Sequence, residues 1–323
     1  MPVAHETVPV QMQSVATPRI APRRRWHPSA DRLASVLLIA PSVLAIAVFV
    51  YGFIAFTGFA SLTKWNSLRP DFTFVGLANY TRLFSTVRFQ IDLHNTVTFT
   101  VLFLLLCLTL GFGLAVLLDR GVRGEGIFRS IFLFPLALSF IVTGVVWRWL
   151  LNPGSVELGS TGVNLLLERV GLGFLKSGWY TDPAIGIKAV VVAATWQLSG
   201  YVMAMYLAGL RGIPEELREA AVVDGASEFK VYRHIIVPLL HPITLGAMII
   251  LGHTSLKIFD LVVAMTGPGP GFSSDVPAFF MFDTTFRGNY FAQGAGIAVI
   301  LLIMVAVLIV PYLVFSLRTE TQR

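Results

Sequence analysis

Polar side chains at helical spacing inside long apolar runs are the residues of this 323-residue chain best placed to do chemistry, because a polar group turned toward lipid costs free energy. Gln197 and Tyr201 stand at i and i+4 in "TWQLSGYVMAMY", which puts an amide and a phenol on one helix face. Such a pair can hold a hydroxyl-rich ligand: the amide and phenol offer directional donors and acceptors, and the ring face takes C–H groups. Gln197 can equally hydrogen-bond a neighbouring span. His253, Lys257 and Asp260 fall at i, i+4 and i+7 of another run and would share a face looking into protein or water. Lys257 and Asp260 there either pair to fix the helix orientation or line the mouth of a polar path. His253 is either a ligand contact or a packed, satisfied histidine.

Covalent catalysis and metal binding find no constellation in the chain. There is no HExxH, CxxC or G-x-S-x-G, and the six histidines are dispersed. Nor is there a Gly-Lys dipeptide, so a P-loop for nucleotide is excluded. The single cysteine, Cys107, lies in an apolar run and reads as a packing residue. No metal and no cofactor held by this chain is expected.

The elements that must position these residues are membrane helices. Hydrophobic residues make up 55% of the chain and charged ones 13%, with a mean hydropathy of +0.74. That is too apolar for a soluble domain. A net charge of +6 without a basic stripe interleaved with aromatics argues against nucleic acid. Runs of about 20 apolar residues predict six spans, near 33–60, 93–118, 127–151, 187–210, 238–260 and 295–317. The expected fold is therefore all-α and polytopic, since none of the runs alternates like a barrel strand. Residues 1–32 read as a disordered basic tail, 33–318 as the membrane domain and 319–323 as a second tail. Placing both termini in the cytoplasm puts 14 of the 24 Lys and Arg on the inner segments, the arrangement that positive charge favours.

One polar stretch, "EAAVVDGASEFKVYRHIIVPLLHP" (Glu219–Pro242), interrupts this pattern on the predicted inner side. Pro214, Glu215 and Glu216 suit a helix start, and Asp224-Gly225 a stop. Ser227 suits the N-cap of a second short helix carrying Phe229, Tyr232, Ile235 and Ile236, which Pro238 would break. The result is a helix, a tight turn and a helix within residues 211–237.

The spacing in this stretch, Glu219-Ala220-Ala221, three residues, Gly225, nine residues, Ile235-Ile236-Val237-Pro238, resembles the signature loop of permease subunits in binding-protein-dependent ABC importers. Val237 replaces the family's Leu. "FVGLANY", "WYTDP" and "FDLVVAMTGPGPG" are similar to the carbohydrate branch, in particular to maltose-type first permeases, with Pro268 where the branch usually has Gly. "SLKIFDLVVAMTGPGPGFSSDVPAFFMFD" resembles glucose/mannose-type permeases more than disaccharide ones. The resemblance implies a sugar translocation path in an inner membrane, a sister permease forming a heterodimer, a separate ATPase dimer that uses ATP, and an extracytoplasmic sugar-binding protein. It implies that Glu219, Ala220, Ala221, Asp224, Gly225, Ile235 and Pro238 belong to a loop docking on that ATPase. Small alanines would allow close approach there, and Glu219 would offer a carboxylate to a basic group. It also matches Tyr201 and Ser255 to sugar-contacting positions, while Ala194 stands where a polar contact would be. A self-contained secondary transporter is the alternative, but it would call for acidic or His residues deep in several spans, and the predicted inner halves are nearly free of carboxylates.

Overall fold

The computed structural model describes residues 28–155, 157 and 159–320, with side chains from 35 to 311 over the same positions. The tail expected over 1–32 falls mostly outside them, but helix already begins at Pro28, and at the other end it runs on to Glu320. The chain divides into two compact units, residues 1–53 and 54–323. The first holds α1 (Pro28–Ile46), which widens into a π-helical segment, Ala47–Gly52.

Four helical stretches are long and apolar enough to cross a membrane: Ser35–Ser61, Val87–Asp119, Gly186–Arg211 and Phe291–Pro311. They match the first, second, fourth and sixth expected spans. The other two are broken. Glu125–Ala137 and Phe140–Leu150 meet at 101°, and Glu228–Leu239 and His241–Leu256 at 62°. Among the described residues no strand is built, only two isolated bridges.

The second unit packs around α2 (Val87–Asp119) and α5 (Gly186–Arg211), which bury Phe99, Phe103 and Cys107 against Val191, Val202 and Met203. The helices approach closely because small residues stand where they cross. A Cβ on Gly111 would lie 2.6 Å from Val202 Cγ1, and one on Gly200 1.9 Å from the Phe132 carbonyl oxygen of α3 (Glu125–Leu133).

Gln197 explains how the 101° bend is tolerated. Beyond α3 the backbone becomes extended at Leu138 before α4 (Phe140–Leu150), which frees the Leu138 carbonyl from helical bonding. The Gln197 amide nitrogen donates to it at 2.8 Å. A backbone acceptor that would otherwise be orphaned inside the bundle is thereby satisfied.

Candidate functional site

The polar stretch after α5 folds as two helices joined by a tight turn. α6 (Glu215–Val223) starts after Pro214, with Glu215 and Glu216 in its positive first turn. It ends as the glycine requires: Gly225 takes φ +76°, its N–H donates to the Val222 carbonyl, and the Ala226 N–H reaches back to Ala221 at 2.9 Å. Ser227 then takes the extended backbone of an N-cap, although its hydroxyl makes no capping bond, and α7 (Glu228–Val231) follows.

Pro238 does not break this second helix, contrary to the sequence expectation. The backbone widens to π geometry over Tyr232–Ile236 and stays helical through Val237–Leu239, turning only at Leu240 into α8 (His241–Leu256). A proline lacks the N–H of the regular ladder and presses on the carbonyl one turn before it, so local widening relieves the conflict.

Two ion pairs fasten the elbow to the end of α2. Arg218 on α6 meets Asp119 at 3.1 Å and also reaches the Leu210 carbonyl, while Glu228 on α7 meets Arg120 at 2.5 Å. Arg211 and Arg129 both bind Glu125 at the start of α3. Ala221, Val231 and Ile236 are buried in the core and Ile235 is half-buried. Ala221 therefore packs inward and is no part of an outer docking face, a correction to the role given both alanines. Glu219, Ala220, Asp224, Gly225 and Pro238 are exposed. Beside them two apolar residues of the elbow lie at its surface: Val223, which its sequence did not advertise, is 86% exposed, and Phe229, grouped by spacing with Tyr232, Ile235 and Ile236, is 71% exposed. The missed signal lies in phase: Val222 and Val223 follow the core-facing Ala221 directly, so on a helix they point elsewhere. Between α7 and α2 an open groove of about 970 Å³ runs past Phe112, Val116, Phe229, Tyr232 and Val237.

The polar residues of the spans are not gathered on one face. α8 stops at Leu256; Lys257 and Phe259 leave helical geometry, Ile258 turns into the core, and α9 (Asp260–Met265) starts with Asp260. A continuous helix was the premise for setting His253, Lys257 and Asp260 in line, and the break removes it. Lys257 and Asp260 are both exposed and make no ion pair with one another. Asp260 instead sits in the first turn of α9, where a carboxylate is favoured. His253 and Tyr201 are half-buried. Gln197, 3% exposed, is committed to Leu138. Ser255, 1% exposed, accepts from the Thr100 hydroxyl at 2.9 Å and donates to the Gly252 carbonyl, joining α8 to α2.

At the opposite end of α2, sequence reading missed a charged cluster entirely. Arg88 donates from Nε to Asp275 at 2.6 Å and from Nη1 to Asp283 at 2.8 Å, and its guanidinium lies over the rings of Phe272 and Phe280. Two turns on, the Asn95 amide donates to the carbonyls of Phe272 and Asp275. These contacts fix the loop after α9, whose turn needs glycine at Gly269: φ is +70°, and a Cβ there would stand 2.4 Å from the Ser274 hydroxyl.

With this geometry in view, the family described as binding-protein-dependent transport system inner membrane component matches residues 108–319. A probable ABC transporter permease protein of Pyrococcus horikoshii is 43% identical over 285 residues, covering 88% of this chain and 96% of that protein. A xylose/arabinose import permease of Haloferax volcanii is 38% identical over 280 residues, 86% of each. In fold, the chain is similar to a bacterial alginate ABC transporter solved in complex with an alginate pentasaccharide-bound periplasmic protein (TM-score 0.72, 21% identity, 88% of this chain and 96% of that one).

Proposed function

The chain belongs to the binding-protein-dependent transport system inner membrane components, and from that premise we propose that it is the membrane-spanning subunit through which a separate ATPase drives sugar across an inner membrane. The elbow carries the proposal. It presents Glu219, Ala220, Val222, Val223 and Phe229 outward while Arg218 and Glu228 fasten it to α2. An ATPase dimer closing beneath such an elbow moves α2 through the ion pairs, and α8 through the π-helical segment and the bend at Leu240. Apolar Val223 and Phe229 seat in the motor subunit, and Glu219 pairs with a basic group there.

Sugar as the cargo is supported by the xylose/arabinose relative and by the carbohydrate-branch motifs. In this reading Tyr201, His253, Lys257 and Asp260 line the pathway with a sister permease, while Gln197 and Ser255 hold the helices that present them. Cytoplasmic termini and an extracytoplasmic sugar-binding protein complete the assembly. The chain supplies no nucleotide site of its own. Membership of this family does not favour the self-contained secondary transporter.

Co-purification from native membranes tests the reading. An ATPase accompanies the wild-type chain and is lost with Glu219→Lys, and sugar uptake into vesicles requires ATP. Solute movement in liposomes by this chain alone, without ATP, overturns it.

A further inference from the structure

Asp92 lies one turn beyond Arg88 on α2, is 0% exposed, and neither of its carboxylate oxygens has a hydrogen-bond partner. The charged groups facing it are Arg88 on its own helix and Asp275 on the loop after α9; Asp283, with Arg287 beside it, stands behind Arg88. Arg88 does not serve Asp92: it donates to Asp275 and Asp283, and its remaining nitrogen, Nη2, is buried without a partner. Asp275, also fully buried, has a donor for each oxygen, Arg88 on Oδ2 and the Val276 N–H on Oδ1 at 2.9 Å.

Asp92 and Asp275, both fully buried, share the single guanidinium of Arg88, which is also drawn to Asp283, so ionising both leaves an excess of negative charge in the buried part of the cluster. An ionised carboxylate with no donor is the costliest state available to Asp92, whereas a protonated one needs only an acceptor. Asp275 is the carboxylate in reach. When two buried carboxyls meet, one retains its proton.

We infer that Asp92 is a proton-binding site: it stays protonated at neutral pH, shares that proton with the Asp275 carboxylate, and so clips the loop after α9 to α2. Burial also pushes the Asp275 carboxyl up from its ordinary value against the pull of Arg88. The folded chain keeps a proton that the unfolded chain releases, so stability falls as pH rises above the ordinary carboxyl range. In alkaline solution the second negative charge is exposed to the first, and the clip opens.

Infrared spectroscopy of the assembled transporter in lipid tests this. A protonated-carboxyl band is present at neutral pH, disappears reversibly on alkaline titration, and is missing from Asp92→Asn at neutral pH. Asp92→Asn, whose amide donates to Asp275 without ionising, melts close to wild type at neutral pH and above it in alkaline buffer, whereas Asp92→Ala melts lower at both. A neutral-pH spectrum of Asp92→Asn identical to wild type overturns the inference. Should that variant fail to assemble, wild-type protein without a titratable protonated-carboxyl band overturns it equally.

Discussion

Arg218 Nη2 lies 3.1 Å from Asp119 Oδ2, which joins the first helix of the elbow to the end of α2 across 99 residues of sequence. Asp119 is 10% exposed and Arg218 23%, so the pair is shielded enough for its loss to register. Removing the arginine leaves a nearly buried carboxylate unsatisfied, at a cost of about 1–3 kcal/mol. Arg218→Ala is expected to lower the melting temperature and uncouple ATP hydrolysis from uptake. The exchange Arg218→Asp with Asp119→Arg restores part of both, read by thermal melts and vesicle transport.

Val223 and Phe229 give the complementary result. Neither is packed inside the chain, so Val223→Asp and Phe229→Glu leave the melt within about 0.5 kcal/mol of wild type, as exposed substitutions do. Both abolish recovery of the ATPase by affinity pull-down, because a desolvated charge is placed in the interface.

Gln197 and Tyr201 separate by their kinetics. Gln197→Leu strands the Leu138 carbonyl and destabilises the fold by about 1–3 kcal/mol without selectively raising the half-saturating sugar concentration. Tyr201→Ala raises that concentration and leaves the melt less affected. Paired melting and uptake measurements decide the roles.

Gly200 and Gly113 make a matched pair of helix glycines. Nothing lies within 4 Å of a Cβ at Gly113, so Gly113→Ala stabilises by about 0.5–1 kcal/mol through helix propensity. Gly200→Ala drives a methyl into the Phe132 carbonyl and costs about 1–3 kcal/mol or prevents assembly. Thermal melts of the two variants in parallel give opposite signs.

The four unbroken spans and the two-helix elbow were legible because their signals are local: apolar length, a glycine stop, and charges at a helix start. The 101° bend was not, since its extended residue Leu138 is as apolar as its helical neighbours and its partner Gln197 is 59 residues away. The interruption after Leu256 escaped for a similar reason: the core draws Ile258 inward, a tertiary demand that overrides helical periodicity. Arg88 and Asp275 stand 187 residues apart, so no spacing rule could join them. Ala221 shows the limit of a motif, which marks a position without saying whether it faces the bundle or its surroundings.

The widened turn at Tyr232–Ile236 sets an angular register. A π turn spends one residue more than an α turn over the same path, and one residue corresponds to about 100° of rotation about the axis. Everything ahead of the turn, Phe229 included, is dialled round by that amount relative to α8. Deleting a single residue here would keep the chain helical and nearly unchanged in length, yet swing the apolar tip a quarter-turn away from its present bearing.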